Sequence, residues 1–297
     1  MTKILYIAGY GRSGSTILDL VLGNHPDICS LGEVGFLIDE IGSKDRICAC
    51  GQSYNNCDFW KDFARKLNEL NSTTLSTTEA GTHLSRVFSA PRRRDEYTRY
   101  CELFSNHLEN HSNAKVFIDS SKTARAKRNR PLLLSKYGST EVYILHLVRN
   151  GKSVTESLIN KGSNWAMEGH HKAYNTTIIR TVVGWISANL WTMSLQLLFP
   201  KNRYFRLKFE DFQSDPEQAV SSICNWLEID PDPLTQKIEA GGAMAVGHMV
   251  GGNRVRHSQN IRLEKTDRSA PGSELSLPHR IIFACTAGPL NRLLGFK

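Results

Sequence analysis

Residues 4–26, ILYIAGYGRSGSTILDLVLGNHP, decide the fold. Residues 4–8 form an apolar run without polar alternation, the pattern of a strand buried on both faces. Residues 9–16 then concentrate glycine, serine and threonine, and beyond them Ile17, Leu18, Val21 and Leu22 recur at helical spacing until Asn24-His25-Pro26 stops them. The loop therefore joins a strand to a helix N-terminus, where backbone N–H groups and the helix dipole favour an anion. From Gly9 to Thr16 it keeps the G-x-x-x-x-G-x-[ST] spacing of a nucleotide-triphosphate loop, but Ser15 stands where that loop carries its lysine. In a triphosphate loop the lysine meets the β- and γ-phosphates beside a metal-binding hydroxyl. With Arg12 projecting from the loop instead, the frame suits a single phosphate held by N–H groups, Ser13, Ser15 and Thr16. The plain alternative is a Gly/Ser turn with no ligand.

Outward from this unit, β-branched apolar runs recur at 116–118, 142–148 and 204–209, each followed by a turn or a helical pattern. That alternation predicts an α/β fold, a central parallel sheet flanked by helices. Residues of about 38–113, with the Ser/Thr-rich patch NSTTLSTTEAGT and the basic run PRRR at 91–94, read as a mostly helical insertion into a single domain spanning 1–297. The last fifty residues look loop-rich.

A chain of 297 residues with 40% hydrophobic content can bury a large core. Lys and Arg outnumber Asp and Glu by 37 to 29, a balance that suits a polyanionic ligand such as a phosphorylated nucleotide, a nucleic acid or an acidic surface. The N-terminal apolar run is too short for a signal peptide or a membrane span, and the most apolar later stretch, TTIIRTVVGWISANLWTMSLQLLF at 176–199, carries Arg180 and reads as a buried helix. A soluble, cytoplasmic protein is the expectation, and the odd count of seven cysteines, scattered along the chain, points to a reducing compartment.

A second anion site is indicated by VYILHLVRNGKSVTESLI. Arg149 ends an apolar strand, where open α/β sheets bind ligands, and Ser157 follows eight residues later, about two helical turns on.

These two places carry a resemblance. RSGST with HPDICSLGE behind it, and LVRNGKSVTES later, are similar to the 5′-phosphosulfate loop and the 3′-phosphate segment of sulfotransferases that use 3′-phosphoadenosine-5′-phosphosulfate (PAPS). FIDSSK at 117–122, RLKFEDFQSDPE at 206–217 and HMVGGNRVR at 248–256 extend the likeness over nearly the whole chain. The carbohydrate and tyrosylprotein branch, bacterial and Golgi, is the one it most resembles, without the membrane anchor of the Golgi members. The resemblance implies a P-loop nucleotide-kinase-like sulfotransferase fold, PAPS as co-substrate, no required metal, and an acceptor bearing a hydroxyl, whether glycan, lipid, tyrosine or small natural product.

It also implies roles. Arg12, Ser13, Gly14, Ser15 and Thr16 would bind the 5′-phosphate, with Arg12 reaching the bridging oxygen; Glu33 would be the base; Lys122 would contact the transferring sulfuryl group. Arg149 and Ser157 would hold the 3′-phosphate, with Arg256, and Asn253 and Arg254 beside it, closing over the same group. Asp119 is open to three readings: a carboxylate placed like that of a nucleotidase or kinase, an N-cap, or a supporting partner for Lys122. The competing functions are a phosphotransferase or NTPase with a degenerate loop, and a phosphonucleotide-binding module without chemistry. No aromatic is identified for stacking on adenine; Trp60, Tyr174 and Trp185 read as core.

Cys48-Ala49-Cys50-Gly51 with Cys57 is a tight cluster. With a fourth ligand such as Cys29 or a histidine it could bind structural zinc, but C-x-C with one further cysteine is not a usual finger spacing, which favours inert or redox-paired thiols. PRRR and the basic run 122–130 could attract an acidic glycan or peptide, although solvated helix faces explain most such runs, and the interleaved aromatics of single-strand nucleic-acid binding are missing.

Overall fold

A computed structural model of the chain describes residues 2–43, 45–71, 91–111, 113–123, 129–161, 177–251, 254–257, 261, 263 and 275–296. In chain order the elements are β1 (Lys3–Ala8), α1 (Ser15–Leu22), β2 (Ile28–Ser30), α2 (Leu37–Ile41), α3 (Lys61–Asn71), α4 (Pro91–His111), β3 (Val116–Asp119), α5 (Arg130–Tyr137), β4 (Glu141–Val148), α6 (Gly151–Lys161), α7 (Ile178–Leu195), β5 (Tyr204–Lys208), α8 (Phe209–Ser214), α9 (Pro216–Trp226), α10 (Asp232–Glu239), α11 (Leu277–Thr286) and α12 (Gly288–Leu293). Short 3₁₀ turns lie at Val34–Phe36, Lys201–Arg203 and Arg254–His257.

The five strands form one parallel sheet in the order β2-β3-β1-β4-β5. β1 lies at its centre, and the period-2 geometry of a strand divides its side chains between two cores. Ile4, Tyr6 and Ala8 pack with α2, α3 and α4, whereas Leu5 and Ile7 pack with α1, α9 and α10. Burial on both faces is why residues 4–8 show no polar alternation. From β1 the chain leaves toward β2 on one side while β4 pairs on the other, so the carboxyl end of β1 is the topological switch point at which such sheets bind ligands.

Three details differ from the sequence reading. β2 was not foreseen, because three residues are too few to show periodicity; it is defined by pairing with β3, Ile28 opposite Val116 through Ser30 opposite Ile118. Strand 204–209 ends one residue early, and Phe209 opens α8. The apolar stretch 176–199 forms α7, but only one face is buried: Ile178, Val182 and Trp185 point inward, while Ile179, Val183 and Leu190 are exposed. Covering a core from one side needs only one apolar stripe. No described helix is long and apolar enough to cross a membrane. Among the described residues, Trp60 and Trp185 are buried core residues, as expected, and Tyr174 lies outside the described residues.

Candidate active site

The loop after β1 is shaped by two close approaches. A Cβ on Gly9 would lie 2.5 Å from the Leu147 carbonyl oxygen, and one on Gly14 would lie 2.0 Å from the Phe209 ring, both at positive φ (133° and 88°). Only glycine satisfies both the backbone angle and the space. Gly14 immediately precedes α1, whose first turn carries no acidic residue, so the helix N-terminus is left electropositive. Ser13, Ser15 and Thr16 are buried there. Arg12 has φ 65°, a left-handed conformation that costs a side-chain-bearing residue roughly 1–2 kcal/mol and that persists only where surrounding structure imposes it.

Arg149, one residue past β4, supplies part of that constraint. Its Nη1 donates to the Arg12 carbonyl at 2.8 Å, and its guanidinium lies over the Phe209 ring, 4.9 Å from the centroid. Phe209 thus supports the glycine of the loop and the arginine of β4 at once. Both guanidinium groups are pushed below their ordinary pKa, Arg12 by burial and then by the charge of Arg149, Arg149 by burial against the opposing pull of Glu210 and Glu156. Two partly desolvated cations side by side favour an anion between them. Ser157 is half-buried on α6. At the start of α6 the Asn150 and Gly151 N–H groups already donate to Glu210 Oε1 (2.9 Å) and Asn291 Oδ1 (2.8 Å). The first N–H groups of α6 are therefore already engaged, and an anion on this side would be met by side chains instead.

Glu33 follows β2. Its N–H donates to the Val250 carbonyl at 2.6 Å, and the Val250 N–H donates to Leu31 at 2.8 Å, so a segment from late in the chain extends β2 by one bridge and fixes Glu33. Its carboxylate Oε1 accepts from Lys122 Nζ at 2.5 Å, with Glu33 and Lys122 only 7% and 8% exposed. Lys122, like Arg12, has positive φ (66°). The turn that holds it is anchored from several sides: Tyr6 Oη donates to the Lys122 carbonyl at 2.5 Å, and the Lys122 and Thr123 N–H groups donate to Ile7 (3.2 Å) and Gly9 (3.1 Å). The ion pair is thereby tied to the entrance of the glycine-rich loop after β1.

Asp119 supports this turn rather than facing a ligand. Its Oδ2 accepts from Arg130 Nε at 2.7 Å, its Oδ1 accepts from the Ser121 N–H at 3.0 Å and from the Ser121 hydroxyl, and it is fully buried. Both oxygens are engaged, which leaves the kinase-like use of Asp119 without support and makes it the brace of the Ser121–Lys122 turn. Lys122 and Arg130, the two ends of the basic run 122–130, are therefore buried ion-pair partners and not solvated cations; residues 124–128 lie outside the described residues.

Arg256 is buried, and its charge opposes the upward push that burial and Glu40 give to the Tyr54 pKa; the Tyr54 hydroxyl donates to Glu40 at 3.3 Å, so Arg256 faces the segment between β2 and α3. Asn253 and the Arg254 side chain fall outside the described residues. The three clustered cysteines are free and are joined in space by His248, not by Cys29.

Sequence reasoning named Glu33 and Lys122 separately but not as a pair. It missed Phe209, Arg130, Val250 and His248 as parts of the site and its frame. The sequence signals for these were RLKFEDFQ for Phe209, HMVGG for His248 and Val250, and the basic run 122–130 for Arg130, whose roles lie in contacts far along the chain.

A parallel sheet in this order, flanked by helices and with a glycine-rich loop entering a helix at the switch point, is the P-loop-like sulfotransferase fold. The chain belongs to the sulfotransferase family, whose family model matches residues 5–233. Among solved structures it is similar to the sulfotransferase domain from the curacin biosynthetic pathway, at 17% identity over 97% of this chain and 98% of that chain, with a TM-score of 0.53. It is also similar to the sulfotransferase domain of the olefin synthase of Synechococcus PCC 7002, at 18% identity over 97% of this chain and 94% of that chain, with a TM-score of 0.50. No curated protein matches the sequence.

Proposed function

We propose that this chain transfers a sulfuryl group from PAPS to an acceptor hydroxyl by in-line displacement. The observation that carries the reading is the buried Glu33–Lys122 pair held at the entrance of a loop fitted to one phosphate. The fit to the donor rests on the close-approach glycines, the buried hydroxyls of Ser13, Ser15 and Thr16, and the adjacent Arg12 and Arg149. Arg12, Ser13, Gly14, Ser15 and Thr16 would hold the 5′-phosphate. Arg149 and Ser157 would hold the 3′-phosphate, and Asn253 and Arg256 are assigned to it by their place in the motif alone.

In this scheme the acceptor oxygen forms its bond to sulfur as the bond from sulfur to the 5′-phosphate oxygen breaks. The acceptor proton passes to Glu33, and the electron pair stays on the phosphate oxygen, where Arg12 stabilises it. Lys122, paired with Glu33 before transfer, offers its ammonium to the sulfuryl oxygens as they gain charge. Glycan, lipid, tyrosine and small-molecule hydroxyls are all compatible acceptors, and no metal is assigned to the transfer step.

Calorimetric titration with adenosine 3′,5′-bisphosphate beside ATP–Mg²⁺ tests the reading without an acceptor. Preferential binding of the bisphosphate is expected; preference for ATP–Mg²⁺ would make this a phosphoryl-transfer site.

A further inference from the structure

We propose that Cys48, Cys50, Cys57 and His248 form a structural zinc site, independent of the sulfuryl-transfer reading. The three sulfurs and the imidazole nitrogen all lie within 4.8 Å of one another. Zinc bonds of about 2.3 Å to sulfur and about 2.0–2.1 Å to nitrogen, at tetrahedral angles, give edges of about 3.8 Å between sulfurs and about 3.6 Å between sulfur and nitrogen. The observed separations are 3.7 Å for Cys50 Sγ to Cys57 Sγ, and 3.9 and 3.2 Å from His248 Nδ1 to the sulfurs of Cys48 and Cys57. Three thiols and an imidazole converging at those spacings make a soft donor set of the kind that selects zinc.

The backbone presents these groups as a built site. Ile47 and Ser53 form an antiparallel bridge and the Cys48 N–H donates to Gln52 at 2.8 Å, so Cys48 and Cys50 share the tip of a small hairpin. His248 is oriented by Phe59, whose ring stacks on it at 5.5 Å and 14°, and by Trp60 Nε1, which donates to its carbonyl at 2.8 Å. Partners that fix a ligating histidine are a regular part of zinc sites. Cys50 is exposed, which gives an ion a route in.

The C-x-C spacing looked unlike a zinc finger because the fourth ligand comes from the far end of the chain. The consequence is a cross-link between the segment that leads into α3 and residue 248, two positions before the Val250 that fixes Glu33.

The test is elemental analysis of the full-length, untagged protein after incubation with zinc and dialysis. About one zinc ion per chain is expected. Cys57→Ser and His248→Ala should lose it, while Cys285→Ser, on α11, should keep it. Should the ligand variants fail to fold, cobalt exchanged into the wild-type protein must give the thiolate charge-transfer and intense visible bands of a tetrahedral site. Substoichiometric zinc, a cobalt spectrum without thiolate bands, or a Cys50–Cys57 disulfide found by mass spectrometry would overturn the proposal.

Discussion

Asp19 allows a prediction with a magnitude. It lies fully buried in α1, the helix that begins at the phosphate loop, and accepts from Ser30 Oγ at 2.6 Å. Burial dominates its environment and pushes its pKa from 3.8 up to about 7, despite the lowering hydrogen bonds from Ser120 and Ser30. The folded protein therefore holds this proton where the unfolded chain has released it. The associated stability is fully present below about pH 4 and is lost as the pH rises to about 7. Three units at about 1.4 kcal/mol each amount to about 4 kcal/mol. His146 works in the opposite direction. Buried on β4 between Tyr204 and Asn189, it is pushed down to about 4, so its contribution is lost as the pH falls from about 6.5 to 4. The two slopes oppose each other in the wild type and conceal Asp19. Asp19→Asn stays neutral throughout and isolates it. Urea denaturation followed by tryptophan fluorescence should show the stability difference, variant minus wild type, growing by about 4 kcal/mol between pH 4 and pH 8. A difference that stays within about 1 kcal/mol across that range would refute the reasoning.

Arg149→Ala should weaken adenosine 3′,5′-bisphosphate much more than 5′-AMP in calorimetry; equal losses would remove Arg149 from the 3′-phosphate. Glu33→Gln should cut sulfation of any acceptor the wild type uses by about 10²–10⁴-fold while leaving bisphosphate affinity near that of the wild type, and a pure binding defect would exclude it as the base. Gly14→Ala places a methyl against the Phe209 ring and should cost about 1–3 kcal/mol, or roughly 5- to 150-fold in bisphosphate affinity, read in the same titration. Arg130→Met leaves the Asp119 carboxylate buried without its cation and should destabilise the fold by about 3–5 kcal/mol in urea denaturation.

What was legible in the sequence was local. The strand, loop and helix of residues 4–26 declare themselves through composition and period, and that unit with three later motifs carried the resemblance through which Arg12, Glu33, Lys122 and Arg149 were named. What was illegible depends on pairing at a distance. Asp119 and Arg130 are eleven positions apart and meet only because the chain turns back after β3. Cys57 and His248 are separated by 191 positions. β2 has no periodicity to display in three residues, and the brace that Phe209 gives to both Gly14 and Arg149 is written nowhere in its immediate neighbours. The exposed face of α7 was hidden for a different reason, since an apolar composition does not say which side is covered.

Val250, which accepts the Glu33 N–H and donates to Leu31, has a consequence for how the protein is made. A ribosome releases β1, the loop, β4 and Phe209 before it reaches that valine, and at usual elongation rates the interval after Glu33 is on the order of ten seconds or more. A nascent or stalled chain ending short of Val250 thus carries Arg12 and Arg149 while Glu33 is still unanchored and Arg256 is not yet made. On the sulfuryl-transfer reading proposed above, catalytic competence would be a late event of synthesis.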